Sequence, residues 1–281
     1  MDNGAAVDAV GDRNETPLHI ACRSGNIEMM RILLERNACV DIRRTYDLKT
    51  PLHLACLIDS KSVADVVDEI IVRCEDIDER DASGNTPLHH ACRRGCFAVV
   101  VLLVKAGANS GAKDVTGKTP FHATCEQQGL KTLMYLLAKG ADMNSVDNYR
   151  NTPLNYACRS RFVQCVVALL DHGADALIEN KQGKSALQSA ANTKLQNLID
   201  VLYQHKQTVD VDAVADYGDS RLHVTCIRGD TFLVDILLSL GADVNLRNST
   251  HLRPLDFAVM SGRCLETVDL LLKNGADVNC D

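Results

Sequence analysis

Histidine and cysteine are the side chains here whose type and spacing would suit chemistry. His19, His53, His89, His122 and His223 each follow a Thr or Ser by three residues, and Cys22, Cys56, Cys92, Cys125, Cys158 and Cys226 each follow the same marker by six. A general base is needed once per active site, so five copies at one recurring position indicate scaffolding rather than catalysis. His89, Cys92 and Cys96 offer three tetrahedral metal donors. Two of them are recurring positions, and no fourth ligand is apparent, so no metal is expected. Neither a Gly-rich phosphate loop nor a Gly-x-Ser-x-Gly elbow occurs. The acidic clusters Glu75-Asp76 and Glu79–Asp81 fall in predicted loops, where carboxylates are solvated. We therefore expect no enzyme, no catalytic residue and no cofactor.

The elements that carry these residues recur. Thr16, Thr50, Thr86, Thr119, Thr152, Ser185, Ser220 and Arg253 mark starts separated by 34, 36, 33, 33, 33, 35 and 33 residues. A fixed period in this range marks a stacked array. The Thr or Ser oxygen suits the free amides of a helix start, and the Pro that usually follows has a preset φ and no donor to waste. A short first helix follows, then Gly25, Gly95, Gly229 or Gly262 where the chain must turn with positive φ. A second helix carries pairs such as Leu33-Leu34 and Leu169-Leu170. Gly-Ala-Asp ends it, and a turn such as Asp114-Val115-Thr116-Gly117 leads on. Such a unit cannot bury its apolar face without neighbours.

With Thr-Pro-Leu-His-x-Ala, Leu-Leu and Gly-Ala-Asp-x-Asn repeated in register, the chain resembles the ankyrin-repeat family. The resemblance implies an all-α solenoid of about eight helix-turn-helix repeats joined by short β-hairpin-like turns, with the His hydrogen-bonding within and between repeats. We expect one array over residues 1–281. Residues 3–10 look like the tail of a preceding repeat and the last helix is apolar, so a fragment of a longer protein is expected. Repeat 2 is longer, with the excess assigned to Asp59–Val63. Repeat 6 is degenerate: Gln188 replaces the His, and Gly-Ala-Asp is lost in Tyr203–Gln207. Arg253 should weaken the last first helix by ~1 kcal/mol through loss of a cap.

Among 281 residues there is no Trp, and aromatic content is 4%, which fits cores of Leu, Val, Ala and Cys. No apolar run reaches the ~18 residues that a membrane helix needs, and Met1–Gly4 lacks the features of a signal peptide. Twelve Cys, half of them at one core position, read as small buried fillers in a reducing compartment rather than as disulfides. The expected location is intracellular and cytoplasmic, with the nucleus also open, and the expected state is a monomeric array.

The resemblance implies a protein partner in the groove lined by hairpin tips and first-helix ends. Carried over by position, the partner-binding residues are Arg23, Arg44, Tyr46, Arg93, Arg94, Lys113, Lys118, Tyr149, Arg150, Arg159, Arg161 and Tyr217. Arg161 stands where Gly is usual. The net charge is −7, yet these positions are basic and the acid gathers on second helices. That segregation would steer an acidic or phosphorylated peptide, or a protein domain, into the groove; charge merely solvated on a repeat surface is the alternative. Leu57-Ile58, Ile227 and Met260 would add apolar contacts. A non-catalytic scaffold or adaptor is the reading. Its alternatives are transcription-factor binding, since repeats 2 and 3 are similar to inhibitor-of-NF-κB arrays, and the cytoplasmic array of a larger channel or enzyme. Nucleic acid is not expected, because the chain is acidic and lacks an aromatic stacking platform.

Overall fold

In the computed structural model, residues 6–58, 62–127, 129–186, 211–212, 214 and 218–278 are described. They form fourteen helices and no strand. The first ten are α1 (Pro17–Ser24), α2 (Ile27–Glu35), α3 (Pro51–Ala55), α4 (Val63–Arg73), α5 (Pro87–Arg94), α6 (Phe97–Lys105), α7 (Pro120–Cys125), α8 (Leu130–Ala138), α9 (Pro153–Ser160) and α10 (Val163–Asp171). Then come α11 (Arg221–Arg228), α12 (Thr231–Ser239), α13 (Pro254–Ser261) and α14 (Leu265–Lys273). The chain divides into two compact units, Met1–Ile199 and Asp200–Asp281. The expectations for Gln188 and Tyr203–Gln207 lie outside the described residues, as do residues 59–61 of the extra length assigned to repeat 2.

Every described first helix opens one residue after its predicted marker. The local reason is reciprocal. In repeat 3 the Thr86 amide donates to His89 Nδ1 at 3.1 Å, so that ring nitrogen carries no proton and Nε2 must. Nε2–H then donates to the Lys118 carbonyl of the next repeat at 3.0 Å. The same pair of bonds is made by His19 with Thr16 and Lys49, His53 with Thr50 and Asn85, His122 with Thr119 and Asn151, and His223 with Ser220 and Leu252. One side chain thus caps its own helix and ties it to the next turn. Burial lowers the pKa of His19 and His122, and holds His53 and His89 at about 4. Arg253 has no acceptor to offer as a cap, but Asp256 takes its amide at 2.7 Å in place of a histidine.

Side chains from the first helices bury Leu18, Leu52, Leu88, Phe121, Leu154, Leu222 and Leu255 at one repeat position. The recurring cysteines Cys22, Cys56, Cys92, Cys125, Cys158 and Cys226 are all solvent-inaccessible. Burying each large apolar side chain is worth about 1.5–3 kcal/mol. In the first unit, first helices pack in the order α1, α3, α5, α7, α9, and second helices in the order α2, α4, α6, α8, α10. In the second unit α11 packs on α13 and α12 on α14. This is nearest-neighbour stacking of a solenoid.

Turns between repeats are joined along the stack by backbone bonds. Thr45 donates to Arg13, Ala82 to Asp47, Val115 to Ser83, Asn148 to Thr116 and Lys181 to Tyr149, at 2.8–3.0 Å. Five turns are each folded by one acidic or amide side chain. Asp81, Asp114, Asp147, Asn180 and Asn248 each accept from the amides two and four residues on. These Asx turns satisfy amides that no strand partner reaches.

Candidate partner-binding groove

The predicted site residues separate into three groups by what they touch. In the first, positive charge is neutralised inside the array. Arg44 is 3% exposed, with its guanidinium on Glu15 at 3.0 Å and on Asp47. It is a structural cation rather than a groove residue, because two carboxylates that flank it in space hold it in. Tyr46 covers it, with the Arg44 guanidinium 4.7 Å from the ring centre and Arg13 at 5.5 Å. Arg23 stays exposed and lies 3.5 Å from Glu15.

In the second group the cation stitches one turn to the next. Lys113 donates to the Val146 carbonyl at 3.0 Å and Arg150 to the Glu179 carbonyl at 3.3 Å, and Arg43 and Arg80, outside the predicted set, make the same link to the Arg80 and Lys113 carbonyls at 3.0 and 2.7 Å. Arg93 donates to Asn85 Oδ1 at 3.1 Å, and Arg94 is exposed beside it at the end of α5. Arg161 takes the left-handed conformation expected of glycine there, φ 64° against 71° at Gly95. Tyr217 lies outside the described residues.

The third group converges. Lys118, Tyr149 and Arg159 line a concavity of about 610 Å³ with Thr116, Asn151, Asn155, Tyr156, Asn180, Lys181, Gln182 and Lys184. The Tyr156 ring is its organiser, with Lys118 Nζ 4.6 Å and the Arg159 guanidinium 4.5 Å from the ring centre. Its hydroxyl donates to Asp147 Oδ2 at 2.7 Å. Burial and the neighbouring carboxylate push the Tyr156 hydroxyl pKa up. At Asp147 burial raises the pKa, but bonds from Tyr156 and Asn151 outweigh it and hold the carboxyl ionised. Lys118 is also paired with Glu126 at 2.6 Å.

Asn155 and Tyr156 were not among the residues predicted from sequence. The signal was the Asn at the fourth position of a signature that elsewhere carries His. Asn155 Oδ1 accepts from the Thr152 amide at 2.8 Å, as His Nδ1 does in other repeats. The shorter side chain ends there, and Nδ2 has no hydrogen-bond partner although the residue is 5% exposed.

Repeat 3 uses the same construction with a different acid–base pair. His90, at the position of Tyr156, meets Asp81 with Nε2 to Oδ2 at 2.8 Å, and both side chains are buried. His53 packs edge-on against it, 5.8 Å between ring centres. Both ring nitrogens of His89 are engaged in hydrogen bonds, so the geometry leaves it no metal-binding lone pair. Ile227 and Met260 are exposed, whereas Leu57 and Ile58 are half-buried. No described helix is long and apolar enough to cross a membrane.

A family model described as ankyrin repeats in three copies matches residues 1–65, 57–147, 127–215 and 207–281. The B-cell lymphoma 3 protein homolog of Mus musculus is 32% identical over 266 residues, which cover 94% of this chain and 43% of that protein. BCL-6 corepressor-like protein 1 of Homo sapiens is 39% identical over 102 residues, 36% of this chain and 6% of that protein. Alpha-latrotoxin-Lhe1a of Latrodectus hesperus is 36% identical over 81 residues, 28% of this chain and 6% of that protein. This chain therefore spans less than half the length of each of these relatives. Ankyrin repeats are modules of protein–protein interaction. With matches along its whole length and a helix pair at each described signature, the chain belongs to the ankyrin-repeat family.

Proposed function

We propose that this protein is a non-catalytic interaction array that holds an acidic or phosphorylated segment of a protein partner in a basic groove. The observation that carries this reading is the convergence of Lys118, Arg159, Lys181 and Lys184 with Tyr149 and Tyr156 around one concavity. Arg and Tyr are the residue types that dominate interface hot spots, and a cationic wall speeds capture of an acidic partner. Arg93, Arg94, Arg150 and Arg161 extend the charge to either side. Arg23 and Tyr46 would mark the near end, with Arg44 supporting Tyr46 from beneath. Glu126 on Lys118 and the buried Asp147 oppose the reading, but two carboxylates do not offset four cations.

A second reading, binding of a transcription factor, is supported by the resemblance of repeats 2 and 3 to inhibitor-of-NF-κB arrays and by the 94% coverage of this chain in the B-cell lymphoma 3 homolog match. Selection from a random-sequence peptide display library on the full chain separates the readings. Recovered peptides rich in Asp and Glu, and lost on an Arg93→Glu/Arg94→Glu/Arg159→Glu variant, are the expected result. Apolar or basic peptides that ignore the variant would overturn it.

A further inference from the structure

Asn155 makes repeat 5 different in kind from its neighbours. At the same position in repeats 1 to 4, a histidine fills the space between two turns and donates across it to the next repeat's carbonyl, at 3.0–3.2 Å. Asn155 is too short to do so. By repeat position its partner would be the Lys184 carbonyl, yet Asn155 Nδ2 reaches no acceptor. The amide cannot be turned round, because Oδ1 is fixed by the Thr152 amide and hydroxyl at 2.8 and 2.9 Å. A buried donor without a partner is costly, and this one borders the 610 Å³ concavity.

Around it the donors are cationic. Lys118 and Arg159 are held on the Tyr156 ring. Lys181 and Lys184 stand on the next turn, whose backbone is tied to Tyr149 through the Lys181 amide at 2.8 Å and folded by Asn180. Against these four cations the opposing charges are Glu126, paired with Lys118, and Asp147, which is buried and saturated by Tyr156, Asn151 and Tyr149 donors. A carboxylate has two oxygens and one charge, too few for this donor set. A phosphomonoester brings three terminal oxygens and a charge of about −1.5 to −2 at neutral pH.

We propose that this pocket takes the phosphomonoester of a phosphorylated side chain, with the Asn155 amide donating from its floor and Lys118, Arg159 and Lys184 around its rim. The proposal rests on the groove reading for the peptide that carries the phosphate. The exposed Tyr149 ring on the wall offers an aryl phosphate a stacking face, so the phosphotyrosine and phosphoserine arms of the test identify the source.

The test is a titration of the full ¹⁵N-labelled chain with N-acetyl phosphotyrosine amide, N-acetyl phosphoserine amide and N-acetyl glutamate amide, following the Asn155 side-chain NH₂ resonances. At least one phosphorylated probe is expected to shift them and to bind at least tenfold more tightly than the glutamate probe. Asn155→His, which should restore the bond to the Lys184 carbonyl and fill the pocket, is expected to raise Tm while weakening that binding at least tenfold. Lys184→Glu should weaken it similarly with Tm unchanged. Equal binding of the glutamate probe, undiminished binding by Asn155→His, or equal binding of an oligonucleotide with only phosphodiesters would overturn the proposal. Failure of the wider groove reading is distinguishable. In that case Arg93→Glu/Arg94→Glu, outside the pocket, leaves acidic-peptide binding intact while the phosphorylated probes still bind. If the pocket alone is wrong, acidic peptides bind Asn155→His as well as the wild type.

Discussion

The Thr152 amide donates to Asn155 Oδ1 at 2.8 Å, as the Thr119 amide, one repeat earlier, donates to His122 Nδ1 at 3.2 Å. His122 goes on to reach the Asn151 carbonyl at 3.1 Å, and Asn155 does not go on. Where that tie is missing, Asn155 lines the concavity.

The histidines make the array sensitive to acid. Both nitrogens of His53 and of His89 are engaged, and protonating Nδ1 would set it against a Thr amide. Burial holds both pKa values at about 4, below the ordinary value near 6.5. Between those values the unfolded chain binds protons that the folded chain refuses. Stability present above pH 6.5 should therefore fall as the pH drops towards 4, by up to about 1.4 kcal/mol per pH unit for each histidine. Urea unfolding across this window checks it. A His53→Asn/His89→Asn variant should show a flatter pH dependence.

Arg161 sits at φ 64°, the conformation that Gly25, Gly95, Gly229 and Gly262 adopt at four other first-helix ends. A side chain there costs roughly 1–2 kcal/mol of local strain. Arg161→Gly is expected to stabilise the chain by about 1 kcal/mol, reduced somewhat by the entropy glycine gains on unfolding. Thermal unfolding reads the change, and a drop in Tm would contradict it.

Tyr156→Phe keeps the ring under Lys118 and Arg159 and removes the hydroxyl that donates to Asp147. The buried carboxylate then lacks a donor, at a cost of about 1–3 kcal/mol. Its pKa should rise, so the loss should shrink as the medium is made acidic enough to protonate Asp147. Denaturant unfolding of both proteins at neutral and acid pH measures this.

Thiol labelling should separate the cysteines sharply. Burial pushes Cys22, Cys92, Cys158 and Cys226 up to about 12. Cys264 moves the other way, lowered by a hydrogen bond from Thr231, with Sγ to Oγ1 at 3.2 Å. Because the thiolate is the nucleophile, a thiol reagent should modify Cys264 in the folded protein well before these four. Mass mapping of the first labelled peptide gives the answer.

The helix pairs were legible from sequence because each is specified locally, by Thr-Pro at its start and an apolar pair in its second helix. The surroundings of the predicted residues were legible only in part. Lys118, Tyr149 and Arg159 line one concavity, whereas Arg44 is buried. Its partners Glu15 and Asp47 come from two turns that only stacking brings together. Lys113 is likewise drawn to the carbonyl of Val146, and nothing in a repeat pattern says which cations will be used this way. The pairing of Tyr156 with Asp147 spans nine residues and has a counterpart in His90 and Asp81. That shared spacing becomes informative only once the turn and the first helix are seen to face each other. The Asn155 departure was visible as a letter, but its consequence required knowing what the histidine ordinarily reaches.

The central claim is that an acidic segment binds where Lys118, Tyr149 and Arg159 converge. The most direct measurement is fluorescence anisotropy of a labelled Glu-rich peptide from the display selection, with the full chain and its Lys118→Glu/Arg159→Glu variant, at low and high salt. The account predicts at least a tenfold loss of affinity from the charge reversal and a marked weakening with salt. Affinity unchanged by both would contradict it and move the partner elsewhere on the array.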